Sequence, residues 1–133
     1  MQRKTNRKLI KKHVLDIGTV YFYENFLITE INEGIVMNFE NVKPLLLLGK
    51  QYYGTQTPFI YISNRINSYS FEPTSHFKTV PIFPNIKGYG VVIYDQLSKE
   101  IAILEKNFLN IPTNIFYSLE EAIQWAEELI VPD

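Results

Sequence analysis

The chain reads as an α/β domain with a mixed sheet, an N-terminal antiparallel hairpin followed by βαβαβα units. Two aromatic and β-branched runs, Thr19-Val20-Tyr21-Phe22-Tyr23 and Phe26-Leu27-Ile28-Thr29-Glu30-Ile31, flank Glu24-Asn25 and suit a pleated surface. After Gly34, short apolar runs alternate with segments of helical apolar spacing. That alternation implies right-handed crossovers and parallel later strands. With 133 residues, the chain is the size of one domain.

The hairpin runs from Val14 to Gly34, with Asn25 at its turn because Asn tolerates the left-handed conformation. Val42, Leu45, Leu46, Gly49, Tyr52 and Tyr53 then draw the stripe of a helix on a core. Asn41 is the expected N-cap, with Pro44 in the first turn and Gly54 as the stop. Pro58-Phe59-Ile60-Tyr61-Ile62-Ser63 reads as a buried central strand. The polar run from Asn64 to Ser70 is expected outside the core. Glu72 to Val80 forms a short helix opened by Pro73 and stopped by Pro81.

Gly88 to Tyr94 is the next buried strand. Asp95 caps a helix whose apolar positions are Leu97, Ile101, Leu104 and Phe108. Asn114-Ile115-Phe116-Tyr117 is the last strand. Ser118 and Glu121 form a capping box. Leu119, Ala122, Ile123, Ala126, Leu129 and Ile130 mark one face of the final helix, which Pro132 ends.

Composition removes most chemistry. Apolar residues make up 46% and charged residues 20% of the sequence, which excludes disorder along the whole chain. Cysteine is absent, so disulfides, thiolate metal sites and cysteine nucleophiles are excluded. No apolar run approaches the roughly 18 residues of a membrane span. Met1-Gln2-Arg3-Lys4 is followed by no apolar segment, and a cytoplasmic protein is expected. Residues 1–12 hold six of the thirteen basic residues and no acid, leaving seven basic against fourteen acidic residues, a net of −7, in 13–133. The expectation is a basic flexible tail over 1–12 and a single domain over 13–133. Nucleic acid is an unlikely partner, because base-stacking aromatics near the tail are missing.

The hairpin Tyr21–Glu30, the stretch Pro58–Ser70 with its trailing Pro73, and the ending Ile115–Ala126 together resemble the STAS superfamily, in particular the small SpoIIAA-like proteins. The likeness spans roughly residues 14–130, the extent of one domain. It implies a small domain without catalytic machinery, of the kind that regulates anti-sigma kinases or is appended to anion transporters. Other relatives, described as related to lipid-transfer domains, are suspected of holding apolar ligands. The anti-anti-sigma branch carries Asp-Ser-Ser/Thr-Gly after the equivalent strand. Here Ser63 precedes Asn64, and Ser68 lies between Asn67 and Tyr69, so no modification site is carried over.

The candidate site is the loop at the carboxyl end of the central strand, Ser63, Asn64, Arg65, Asn67, Ser68, Tyr69 and Ser70, where open α/β sheets place ligands. Arg65 offers a fork of donors for carboxylate or phosphate. His13 and His76 read as surface side chains, without the neighbours a zinc cluster needs. A Ser-His-Asp set from His76 and Asp95 lacks a nucleophile elbow. Gly88-Tyr89-Gly90 precedes its strand and lacks the third glycine of a dinucleotide fingerprint. Glu120, Glu121, Glu127 and Glu128 read as the solvent side of a helix.

The surplus of apolar residues is the other signal. Leu47 and Leu48 fall off their helix stripe, and Phe71, Phe77, Ile82 and Phe83 lie in irregular segments. They form a packed lid over 64–87, or line a surface for a partner, a twin subunit or a ligand. The reading is a non-enzymatic module without a cofactor or metal. It binds a protein partner, or itself, through 63–80; the alternative is a carrier of a small apolar or anionic, lipid-type ligand with Arg65 as anchor.

Overall fold

The computed structural model describes residues 7–130. The expected tail residues 1–6 and the stop at Pro132 lie outside the described residues. Strands β1 (Lys11–Leu15), β2 (Gly18–Phe22) and β3 (Phe26–Ile31) form an antiparallel meander. Then follow β4 (Val36–Met37), α1 (Phe39–Tyr53), β5 (Phe59–Asn64), β6 (Ser70–Phe71) and α2 (His76–Thr79), the last between two 3-10 turns, Pro73–Ser75 and Val80–Ile82. The chain closes with β7 (Ile86–Val92), α3 (Gln96–Lys106), β8 (Thr113–Phe116) and α4 (Leu119–Ile130). The main sheet has the order β1-β2-β3-β5-β7-β8, with every pair from β3 onward parallel, and β4 and β6 pair separately. This is the expected mixed α/β architecture.

Several local expectations give way to better partners. The hairpin is a three-stranded meander, and Lys11 and Lys12, expected in the tail, are the first residues of β1. Arg7 is also engaged, pairing with Glu127 at 2.7 Å and Glu120 at 2.9 Å. Glu127 is therefore buried and not on a solvent face. No described non-glycine residue has positive φ; Asn25 instead donates to the Pro58 carbonyl at 2.8 Å. Helix α1 starts earlier than expected, because Asn38 and Asn41 cap each other reciprocally at 2.8 and 3.0 Å. Pro44 thus lies inside the helix, where it can donate nothing to the Glu40 carbonyl. Gly54 stops the helix at φ 58°, a conformation glycine adopts without steric cost.

The two faces of the sheet are covered differently. Phe26, Ile28, Ile60, Ile62 and Val92 pack under α4 through Ala122 and Ala126. Gly88 and Gly90 make room for that helix. A Cβ on Gly88 would stand 2.7 Å from Leu129 and 2.9 Å from Trp125. These glycines lie within β7, not ahead of it. Ser118 caps α4 through the Glu121 amide at 3.2 Å, and its hydroxyl donates to the Glu121 carboxylate at 3.1 Å.

The opposite face carries Leu27, Phe59 and the side chains of α1 in one cluster, and Tyr89, Val91 and Ala102 of α3 in another. Helix α3 is rotated from expectation. Ser98, Ala102 and Glu105 face inward, while Leu97 is 62% and Leu104 49% exposed.

Candidate functional site

Strand alternation builds the site. Side chains two residues apart share a face, so Phe59, Tyr61 and Ser63 of β5 lie on the side of α1 and α3. The ladder continues one residue past the strand, because the Arg65 amide donates to the Val92 carbonyl at 3.0 Å. That bond keeps Arg65 in the same alternation and drives its side chain under α3. Thr29 of β3 and Tyr89 of β7 are also buried, with the Thr29 hydroxyl donating to Tyr61 at 3.0 Å. Tyr61 and Tyr89 stack with ring centres 5.2 Å apart.

Arg65 is 4% exposed and Glu105 0%, and they form a bidentate pair. The Arg65 Nη2 donates to Glu105 Oε1 at 2.9 Å, and Nη1 donates to Oε2. The remaining contacts complete a network: Arg65 Nε donates to Ser63 Oγ at 3.0 Å, and Nη2 to the Tyr89 hydroxyl at 3.1 Å. Tyr89 in turn donates to Glu105 at 3.2 Å, and His76 Nε2 lies 3.0 Å from the same oxygen. Ser63 and Tyr69 share a 3.0 Å bond.

Each charge is shaped by this setting. Burial alone would raise the Glu105 pKa, but the hydrogen bond with His76 and the Arg65 charge outweigh it and hold the carboxyl below its usual range. Burial pushes the phenols of Tyr61, Tyr69 and Tyr89 up. The network therefore holds ionised Glu105 against Arg65, surrounded by neutral tyrosines.

Beside this cluster lies a cavity of about 80 Å³. Its floor is the sheet, with Leu27, Phe59 and Tyr61, and one wall is α1, with Val42, Leu45 and Gly49. Its roof is the segment 69–86, which contributes Phe71, His76, Val80 and Phe83 among others. The rings of Tyr69, His76 and Tyr89 separate the cavity from Arg65 and Glu105. No Lys, Arg, Asp or Glu lines it.

A solved structure shares the fold. An uncharacterized protein of the DUF3478 family from Shewanella loihica PV-4, described as having a SpoIIAA-like fold, superimposes with a TM-score of 0.55 at 10% identity. The match covers 90% of this chain and 92% of that one. This chain has a SpoIIAA-like fold. No protein-family model and no curated protein matches the sequence.

Within the SpoIIAA-like fold, the loop after β5 is not the open crest its polarity predicts. Asn64 and Arg65 are buried, which corrects the expectation that they stand outside the core, and Ser63 is buried with its strand. Asn64 bridges Glu30 at 3.0 Å and Tyr94 at 2.6 Å. Asn67 donates to the Ile31 carbonyl at 3.1 Å. Tyr69 is half-buried, while Ser68 and Ser70 are exposed. Of the seven residues, the structure brings Ser63, Arg65 and Tyr69 together. Arg65 is matched to Glu105, so it is not a free anchor at an open site.

Sequence reasoning missed Glu105 and misplaced His76, which is 5% exposed and stands on α2 facing Glu105. His13 is likewise half-buried, 2.9 Å from the Tyr52 hydroxyl. Asp95 caps α3 through the Ser98 amide at 2.7 Å, and no contact brings it to His76. The one signal for Glu105 was its i+7 spacing from Ser98 through Ala102, a stripe overshadowed by Leu97, Ile101, Leu104 and Phe108. Among the described residues, no group of three or more His, Cys, Asp or Glu side chains is placed to hold a metal ion, and no helix is long and apolar enough to cross a membrane.

Proposed function

We propose that the chain is a non-enzymatic binding module whose ligand site is the cavity beneath the 69–86 roof. The observation that carries this reading is an apolar cavity of about 80 Å³ between the sheet, α1 and the 69–86 segment. Interiors are normally filled to crystal-like density, so a cavity of this size is room that a small apolar group can fill. The volume is about half that of an engineered apolar cavity that accepts benzene, so a short alkyl group is the matching size. Glu105, the acid of the neighbouring cluster, is fully buried against Arg65 and lines no open surface, which supports a binding role over proton transfer.

The test uses 1-butanol as a probe and Val80→Phe as a blocking variant, since Val80 lies in the roof. Saturable methyl chemical-shift changes at Val42 and Leu45 are expected for the parent protein and their loss in the variant. At ten times Kd, occupancy adds about 1.4 kcal/mol to stability. Unsaturable shifts spread over the whole surface would overturn the proposal.

A protein-partner reading through 63–80 is favoured by one observation, the exposure of Ile66 (51%) and Phe77 (62%) beside Ser68 and Ser70. Light scattering of the pure protein and of Phe77→Ser tests it for a twin subunit. A mass above the monomer that falls in the variant supports self-association; a monomer in both cases removes it.

A further inference from the structure

The charges beside the cavity are already matched to each other. Arg65 and Glu105 form a buried bidentate pair. The three rings between them and the cavity turn polar atoms toward the pair: His76 Nε2 and the Tyr89 hydroxyl toward Glu105, and the Tyr69 hydroxyl toward Ser63. A charged ligand entering the cavity would shed its water and meet no counter-ion, a large penalty for an ion in an apolar site. A carboxylate feels this twice. Arg65 lies behind the Tyr69 ring, with its guanidinium carbon 5.6 Å from the ring centre, and Glu105 cancels its attraction. Lys50 lies behind the Phe83 ring, its Nζ 4.7 Å from that ring's centre and donating to the Ile82 carbonyl.

We infer that the cavity admits uncharged ligands, short alcohols and related neutral groups, in preference to the corresponding carboxylates and ammonium ions, and that Glu105 sets this selectivity by neutralising Arg65. The inference rests on the ligand-binding reading above and deepens it. It also reverses the role that the sequence suggests for Arg65. The guanidinium is held in reserve by Glu105, and removing that one negative charge would turn it into an anion attractor. Glu105→Gln keeps the shape of the side chain and much of its hydrogen bonding while deleting the charge.

The experiment titrates the full chain at neutral pH with 1-butanol, butanoate and butylammonium, read by methyl chemical shifts at Val42 and Leu45. In the parent protein, 1-butanol saturates and both ions bind at least about tenfold more weakly. In E105Q, butanoate tightens by about tenfold or more, while 1-butanol changes little. An Arg65→Gln/Glu105→Gln double variant, with both charges removed, shows no butanoate gain. Butanoate binding as tightly as 1-butanol in the parent protein would overturn the inference and leave the ligand-binding reading standing. Failure of all three probes to bind would bring down both. A folded E105Q without the gain, or a double variant with it, would overturn the role of Glu105. Should E105Q not fold, the parent series and the double variant decide the matter.

Discussion

The two faces of the central sheet solve the same packing problem in opposite ways. Under α4 the surface is apolar, and the helix sits so close that Gly88 and Gly90 are needed beneath it. Under α1, α2 and α3 the same strands present Thr29, Tyr61, Ser63, Tyr89 and Arg65, and the helices leave a cavity. One face maximises contact. The other carries a hydrogen-bonded polar network beside a cavity, an arrangement that tight packing alone would not select. The lesson is that this chain keeps its spare volume inside the sandwich, on one side of the sheet, and not along the exposed ends of its strands.

The largest expected effect attacks the polar face. Glu105→Ala leaves Arg65 as an uncompensated buried charge, which costs about 3–5 kcal/mol. Urea denaturation measures it, and a loss below about 1 kcal/mol would place the pair in the surface class instead.

A second comparison sets glycines against each other. Gly88→Ala drives a Cβ into Trp125 and Leu129 and is expected to destabilise by about 1–3 kcal/mol. Gly49→Ala has the opposite sign. Its Cβ would stand 3.0 Å from Phe83 Cζ, but that ring borders the cavity and has space to yield, while alanine favours the helix by about 1 kcal/mol. A net gain of about 0.5 kcal/mol in thermal denaturation is expected; a loss as large as that of Gly88→Ala would erase the distinction between the faces.

Acid sharpens the contrast further. The Glu105 carboxyl titrates below its usual range in the folded chain. Its stabilisation is therefore complete above the ordinary carboxyl value of about 4.3 and is lost as pH falls through the lowered folded value. In E105Q this part of the acid dependence is expected to vanish, as denaturation followed from pH 6 to pH 2 would show. A similarly small effect belongs to Arg7, whose partly exposed pairs with Glu120 and Glu127 contribute about 0.5–1 kcal/mol. Arg7→Ala should lose that amount at low salt and less at high salt.

Much of the fold is legible in particular residues. Ile60 and Ile62 announce a buried strand, Gly54 a helix end, and Ala122 and Ala126 the inner stripe of α4. The cavity was foreshadowed by Phe71 and Phe83, apolar residues stranded in an irregular segment. The polar cluster was hidden because its members are far apart in the chain: Ser63 and Arg65, then His76 and Tyr89, then Glu105.

Periodicity alone determined the order and kind of the longer elements from β2 onward, since a repeat of two or of 3.6 residues follows from backbone geometry whatever lies nearby. The short strands β4 and β6 and the edge strand β1 it did not reveal. Only the tertiary structure decided which way α3 faces and where Arg65 goes. Helix α3 carries two usable stripes, and local spacing ranks them by hydrophobicity. An arginine that the ladder pulls under the sheet demands a carboxylate, and meeting that demand turns Glu105 inward and leaves Leu97 and Leu104 in solvent.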